Sequence, residues 1–208
     1  MKLRGGLLPK KSTFHSFVHG PIDLFQFAGK NTLRAGGVTH SGGFTYDMWK
    51  KAITIIQNSK FKIQKCLILG IGGGTVVYFL ERAFPNIEII AVDIDPKMIE
   101  IARTEFNIQG NLICADAIEW IKKQRQKFNL VIVDLYIGRR NPQKARTLTF
   151  LRHIKKRLKS RGKVLYNSQF FSEDPKEFEA FLSRCKEIFG TIHILQEFPM
   201  SRLILLSG

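Results

Sequence analysis

The sequence predicts an α/β protein built on a doubly wound, mostly parallel sheet. From residue 64 onward, short continuous apolar runs alternate with amphipathic segments of helical spacing, a pattern typical of buried parallel strands joined by covering helices. A turn with four glycines in five positions, residues 70–74, separates the first apolar run from the first helical segment. This order of strand, glycine turn and helix indicates a ligand site at the carboxyl edge of the sheet.

The chain begins with a different pattern. Residues 13–38 read as short strands separated by Gly-Pro and Gly-Gly turn signals, which predicts a small N-terminal β-hairpin element over residues 1–45. The following segment, YDMWKKAITIIQNSK, carries Trp49, Ala52 and Ile56 at the spacing of an amphipathic helix. We expect this helix to lead into the main sheet.

The remaining elements follow the alternation of strand and helix. Asp95 is placed to cap a helix that Pro96 opens. A basic helix is expected over residues 142–158, Gly162 introduces the next strand, and the last two strands should pair antiparallel. In chain order the predicted strands are KCLILG, IEIIAVD, NLICAD, FNLVIVD, KVLYN, TIHILQEF and RLILLS, and the helices between them are TVVYFLERAF, KMIEIARTEF, AIEWIKKQRQ, the basic helix and PKEFEAFLSRCKEIF.

Length and composition narrow the class of protein. The 208 residues suit one domain with a small appendage, and no apolar run reaches the roughly 18 residues of a membrane span. No apolar stretch of signal-peptide length is present, so a cytoplasmic location is expected. The three cysteines lie far apart without metal-ligand spacing, so neither a disulfide framework nor a metal site is predicted, and Cys66 and Cys114 are expected to be buried.

The charge of the chain is strongly basic. The formal net charge is +16, and eleven Lys or Arg residues lie between positions 139 and 163 in a stretch, 135–172, that has no Asp or Glu. One interpretation is a surface for a polyanion or nucleic acid. The other is an ordinary solvated helix face, and the sequence leaves both open.

The glycine turn departs from the dinucleotide fingerprint G-x-G-x-x-G. The pattern present is Gly70-x-Gly72-x-Gly74, and Thr75 stands where the last glycine is needed. Glycines at such a turn still permit a close approach of the backbone to a ligand, and the helix that follows favours negative charge at its start. The missing glycine therefore weakens the prediction of a nicotinamide or flavin site without excluding it.

Three carboxylates follow at the ends of the next three predicted strands: Asp93, Asp116 and Asp134. A carboxylate at the end of the second strand can accept hydrogen bonds from both ribose hydroxyls, and one at the third strand could reach an adenine amino group. Each alone could be a helix cap or a solvated strand end. Together with the glycine turn they predict a nucleoside site.

These motifs resemble those of a known family. LGIGGGT, AVDIDPKMIEIA, CADAIEWI and VIVDLYIG are similar to the corresponding motifs of class I S-adenosylmethionine-dependent methyltransferases, and more narrowly of the spermidine synthase family and its divergent, methyltransferase-like relatives. DLYIGRRNPQKARTLTFLRHIKKRLKSRGKVLYN and LRAGGVTHSGGFTYDMW extend the resemblance to about residues 13 to 207. It implies a Rossmann-like cofactor-binding domain over residues 46–208.

The resemblance also implies a cofactor, an acceptor, an assembly and roles for individual residues. The cofactor would be S-adenosylmethionine or its decarboxylated form, the acceptor a small molecule, and the assembly a homodimer without membrane contact. Gly70, Gly72 and Gly74 would pass beside the methionine part, Asp93 would hold the ribose, Asp116 and Ala117 would flank the adenine, and Asp134 and Tyr136 would border the reacting end.

The sequence departs from the aminopropyltransferase pattern in three places. The acid expected three positions after Asp134 is Ile137, an expected Gln-Ser pair is His40-Ser41, and the loop continues into two arginines. These departures favour a methyltransferase over a polyamine synthase. His40 is a candidate general base or a structural loop histidine, and Tyr136 either packs on the acceptor or forms the pocket wall. An aminopropyltransferase that uses another base, such as Asp134, and a nucleic-acid-binding protein with a vestigial pocket remain the alternatives.

Overall fold

Two β-sheets organise the chain in the computed structural model, which describes residues 8–59, 61–169, 175–198 and 201–208. The first is a four-stranded antiparallel sheet in the order β1-β2-β3-β4, so the predicted N-terminal hairpin is the start of a larger element. Its strands are β1 (Lys10–Ser16), β2 (Gly20–Phe27), β3 (Lys30–Ala35) and β4 (Val38–Ser41).

Six helices follow this sheet within the described ranges. The predicted boundary at residue 45 lies inside the first turn of the first helix, since that helix begins at Gly43. The helices are α1 (Gly43–Asn58), α2 (Thr75–Ala83), α3 (Pro96–Thr104), α4 (Ala117–Lys123), α5 (Leu148–Lys156) and α6 (Pro175–Phe189), with a short 3-10 helix, Gln143–Arg146, before α5. The side chain of Asp95 accepts a hydrogen bond from Lys97 N at the start of α3, which confirms the predicted cap.

The second sheet confirms the predicted doubly wound fold. Its seven strands are β5 (Lys65–Leu69), β6 (Glu88–Asp93), β7 (Asn111–Cys114), β8 (Phe128–Val133), β9 (Leu158–Gln169), β10 (Thr191–Phe198) and β11 (Ser201–Ser207). Their order is β10-β11-β9-β8-β5-β6-β7; β5 to β9 run parallel, and β11 and β10 close one edge antiparallel. The strand order reverses between β5 and β8, and ligands bind at such a point in open α/β sheets.

The central strands read as continuous apolar runs because both of their faces are buried. Leu67 and Val131 point to the face covered by α4, α5 and α6, while Ile68 and Ile132 point to the face covered by α1 and α2. The N-terminal sheet has a core of its own, in which Ile22 and Leu24 contact residues of α3. The small sheet is thereby fixed beside the carboxyl edge of the large one.

Three sequence expectations were wrong. The basic helix predicted over 142–158 is divided, because Thr147 is extended and its hydroxyl accepts a hydrogen bond from Phe150 N as the cap of α5. The strand after it begins at Leu158, so Gly162 lies inside β9. Cys114 is exposed, whereas Cys66 is buried, because Cys114 ends the edge strand β7.

The residues of the basic stretch lie on several different elements. Lys144 lies at the carboxyl edge of the sheet, against the cavity described below, whereas Lys159 and Arg161 lie in the first part of β9. Arg152 forms an ion pair with Glu187 at 3.0 Å. Among the described residues, no helix is long and apolar enough to cross a membrane.

Candidate active site

The glycine turn is packed between neighbouring strand ends. Gly70 N donates to Val92 O at 2.8 Å, and Asp134 N donates to Leu69 O at 2.8 Å. Gly70 has φ +91°, and a Cβ there would lie 2.3 Å from Asp134 O. A Cβ on Gly72, with φ +51°, would lie 2.7 Å from the His40 carbonyl oxygen. Glycine is needed at both positions because backbone occupies the space of a side chain.

This geometry predicts that Gly70→Ala destabilises the protein. The strained φ costs about 1 kcal/mol or more, and the clash with Asp134 O adds to it, so we expect the free energy of unfolding to fall by at least about 2 kcal/mol. Urea denaturation measures the change. Gly110→Ala is the matched control, because Gly110 has φ +101° with no atom within 4 Å of a Cβ. Equal losses in the two variants would contradict the packing argument.

Asp93 ends β6 and holds the turn. Its Oδ2 accepts a hydrogen bond from Ile71 N at 2.8 Å, and its Oδ1 accepts one from Asp95 N at 2.9 Å. The residue is only 8% exposed, and this burial raises the pKa of the carboxyl above its ordinary value. Each oxygen keeps a lone pair for a further donor.

Asp116 both caps a helix and lines a cavity. Its Oδ1 accepts hydrogen bonds from Ile118 N at 2.8 Å and Glu119 N at 3.4 Å, so it is the N-cap of α4. Its neighbour Ala117 is buried. Both residues line the first cavity together with Ile94, so the helix-cap interpretation and the cavity interpretation hold at the same time.

Asp134 follows β8 and is partly buried. Asn167 of β9 donates to its Oδ1 at 2.7 Å. Burial raises the pKa of the Asp134 carboxyl to about 7; the Asn167 hydrogen bond lowers it, and the negative charge of Asp93 adds to the rise. This carboxyl therefore changes charge near neutral pH.

Tyr136 and His40 form one wall of the cavity. Their rings stack with centroids 4.8 Å apart, and the Tyr136 hydroxyl donates to Thr39 O at 3.3 Å. Burial, followed by the charge of His19, lowers the pKa of His40 to about 4, and its Nε2 has no hydrogen-bond partner within the described residues. His40 is therefore neutral at pH 7, and such a low pKa makes it a weaker general base than Asp134.

A first cavity of about 180 Å³ brings most of the predicted residues together. Gly74 is not among them, because it faces away from this cavity: a Cβ there would meet Ile108 Cγ1 at 2.4 Å. Its role is to pack α2 closely against that side chain. The predicted residues that line the cavity are His40, Gly70, Gly72, Asp93, Asp116, Ala117, Asp134 and Tyr136.

The N-terminal sheet contributes a residue that the sequence did not indicate. His19 lies in the β1–β2 turn and lines the first cavity; its Nε2 is 4.0 Å from Asp95 Oδ2. Ser16 Oγ donates to the same oxygen at 2.5 Å, and His19 N donates to Ser16 Oγ at 3.0 Å. The hydrogen bond between Ser16 and Asp95, which we call the Ser16–Asp95 latch, holds the small sheet beside the cavity.

A second cavity of about 160 Å³ lies on the other side of the same wall. Asp134 and Tyr136 line both cavities. The second cavity is bordered by side chains from β3, β9 and the loop after β8, among them Arg34, Arg139 and Asn167. The two cavities thus adjoin each other at these two side chains.

Comparison with known proteins bears on the fold. A family model described as a methyltransferase domain matches residues 66–162. Polyamine aminopropyltransferase 2 of Aquifex aeolicus is 36% identical over 114 residues, which cover 49% of this chain and 23% of that protein. The crystal structure of a probable spermidine synthase from Corynebacterium glutamicum superposes with a TM-score of 0.83, covering 96% of this chain and 81% of the other at 18% identity. The chain has the fold that spermidine synthases and class I methyltransferases share.

A methyltransferase structure shares the same fold. The chain superposes on human methyltransferase-like protein 13 with a TM-score of 0.67 at 19% identity, covering 78% of this chain and 81% of the other. The chain spans between 13% and 48% of the length of the curated aminopropyltransferases and methyltransferase homologs that it matches.

The first cavity fits the cofactor that the fold implies. Carboxylates suited to a ribose and an adenine lie at the ends of β6 and β7, and the glycine turn leaves the space between them without side chains. His40 Nε2 adds a buried polar atom that has no hydrogen-bond partner within the described residues. These residues fit an adenosine joined to an amino-acid chain.

Proposed function

We propose that this protein is a methyltransferase that binds S-adenosylmethionine in the first cavity. Asp93 accepts hydrogen bonds from the ribose hydroxyls, Asp116 and Ala117 flank the adenine, and Gly70 and Gly72 pass beside the methionine part. The observation that carries the proposal is the convergence of these residues on one cavity at the strand-order reversal. The human relative that shares the fold is known in complex with S-adenosylhomocysteine, which supports it.

The second cavity favours methyl over aminopropyl transfer. Polyamines are cations and need acidic surroundings, but Arg34 and Arg139 line this cavity and Asp134 is its one carboxylate within the described residues. Ile137, at the position of the acid expected in aminopropyltransferases, is 54% exposed and has no ionisable group. Both observations speak against a polyamine acceptor.

The residues around the reacting centre have separate tasks. When bound, the cofactor supplies a methyl group that its sulfonium has already activated, so the protein must mainly position a nucleophile and exclude water. Asp134 accepts the proton that the nucleophile loses, since it lies between the two cavities and its pKa is about 7. The stacked rings of Tyr136 and His40 close the wall beside it.

Calorimetric titration tests this function. We expect S-adenosylmethionine to bind more tightly than its decarboxylated form, because a methyltransferase has no reason to repel the methionine carboxylate. Binding of neither compound would refute the proposal.

Aminopropyl transfer is the second candidate, with Asp134 as its base. The similarity to polyamine aminopropyltransferases supports it, and a preference for decarboxylated S-adenosylmethionine in the same titration would establish it over methyl transfer. Nothing in the comparisons supports a nucleic-acid-binding function for the basic stretch. A cytoplasmic location and a homodimer stay predictions.

A further inference from the structure

The second cavity is small and has two chemically different parts. Its volume is about 160 Å³. Val38 and Met48 supply apolar wall. Asp134 also lines the first cavity, and Asn167 lies beside it, within hydrogen-bond distance. The acceptor that enters must match both the polar side and the charge of the cavity.

The side next to the first cavity offers two hydrogen-bond acceptors. Asn167 is 2% exposed, its Nδ2 donates to Asp134 Oδ1 at 2.7 Å, and its Oδ1 has no partner within the described residues. The hydrogen bond to Asp134 identifies the atom of the Asn167 amide that faces the carboxylate as Nδ2, because an amide oxygen there would repel the carboxylate. An amine has enough N–H groups to donate to both Asn167 Oδ1 and Asp134, whereas a hydroxyl can donate to one.

Two arginines, Arg34 and Arg139, also line the second cavity. Arg34 projects from β3, and its cross-strand neighbour Asp23 already accepts a hydrogen bond from Thr13 at 2.7 Å and pairs with Lys11 at 3.0 Å. The guanidinium of Arg139 lies over Gly37, 3.4 Å from where a Cβ would stand. Guanidinium groups match carboxylates in geometry and charge and oppose a second ammonium group.

We propose that the acceptor is a small primary amine that carries a carboxylate at its other end, with the amine on Asp134 and Asn167 and the carboxylate toward Arg34 and Arg139. This substrate class rests on the proposed function. In the transfer step the amine nitrogen forms a bond to the methyl carbon while the carbon–sulfur bond breaks. The electron pair of that bond stays on sulfur, and the amine proton passes to Asp134.

Matched probes test the far end of the acceptor. The pairs are 4-aminobutyrate against 1,4-diaminobutane and β-alanine against 1,3-diaminopropane, because the members of each pair share one amine and differ in the charge of the other end. Each is titrated into the protein with and without S-adenosylhomocysteine. We expect at least one amino carboxylate to bind about 10-fold or more tightly than its diamine, and Arg34→Glu to remove or reverse that preference.

The control is Arg125→Glu, which makes the same change of charge at an exposed position outside both cavities and should leave the preference unchanged. A wild-type preference for the diamines would overturn the proposal, and so would failure of all four probes to bind. If S-adenosylhomocysteine fails to bind, the proposed function fails, whereas the probe preference measured without it still decides the substrate class.

Discussion

Replacing Asp134 with asparagine is expected to lower the rate of transfer by about 10²- to 10⁴-fold, the usual contribution of a general base. The variant keeps the size of the side chain and an oxygen for Asn167 Nδ2, but it cannot take a proton from the acceptor. Binding of S-adenosylmethionine should change by only a few-fold, because Asp93 and the glycine turn are intact. Mass spectrometry of the methylated acceptor measures the rate, and calorimetry measures the binding. An unchanged rate would show that the nucleophile arrives already deprotonated.

The same variant has an expected effect on stability that needs no substrate. The folded pKa of Asp134, about 7, lies above the ordinary value of 3.8, so the carboxyl favours folding while it is protonated and that advantage is lost as pH rises from about 4 to 7. Three pKa units correspond to roughly 4 kcal/mol, and partial contact with solvent reduces this to about 2 kcal/mol. We therefore expect the free energy of unfolding of Asp134→Asn, compared with that of the wild type, to be more favourable at pH 8 than at pH 5.

Urea denaturation at the two pH values measures this gain. Asp116→Asn is the control, because it makes the same chemical change at an exposed helix cap, where asparagine caps as well as aspartate. A difference between Asp134→Asn and wild type that is equal at pH 5 and pH 8 would contradict the raised pKa.

Asp93→Asn is expected to weaken binding of S-adenosylmethionine by about 100-fold or more. The amide that replaces the carboxylate has one acceptor oxygen, so its NH₂ must face either Ile71 N or Asp95 N, both of which donate to Asp93 in the native protein. Losing a hydrogen bond to a charged, buried group costs about 1.5–3 kcal/mol, and the displaced turn then also loses its place beside the ligand. Charged acceptors for the ribose hydroxyls are lost in the same change.

Calorimetry of Asp93→Asn measures the loss of binding, and urea denaturation measures the loss of stability. We expect the free energy of unfolding to fall by about 1–3 kcal/mol, less than the loss of binding, because removing a buried charge returns part of its desolvation cost. Asp116→Asn again serves as the control and should keep affinity within a few-fold, since its amide oxygen can still accept from an adenine amino group. Affinity unchanged in Asp93→Asn would place the ribose elsewhere.

Local patterns were enough to predict the doubly wound sheet and most of the first cavity. Continuous apolar runs mark strands buried on both faces, and parallel strands bring their carboxyl ends to one edge, so Asp93, Asp116 and Asp134 had to lie near one another. The family resemblance placed Gly74 in this group with Gly70 and Gly72, yet a Cβ on Gly74 would meet Ile108. Spacing alone does not tell which side of a turn each glycine faces.

Other site residues depend on contacts that no local pattern records. Asn167 lies near the carboxyl end of β9, and only the position of β9 beside β8 brings it to Asp134. His19 reaches the cavity because the small sheet is fastened by the Ser16–Asp95 latch. Thr147 divides the predicted basic helix because its hydroxyl competes as a cap, which the run of basic residues around it conceals.

The wall that the two cavities share has a thermodynamic consequence. Asp134 and Tyr136 face both cavities, so a molecule that shifts either side chain, or the charge on Asp134, from one side changes the free energy of binding on the other. Such a coupling is reciprocal: whatever factor the cofactor applies to the affinity for the acceptor, the acceptor must apply to the affinity for the cofactor. The order in which the two ligands bind can then be a kinetic preference. Their cooperativity is a single coupling free energy, which depends on Asp134 and Tyr136.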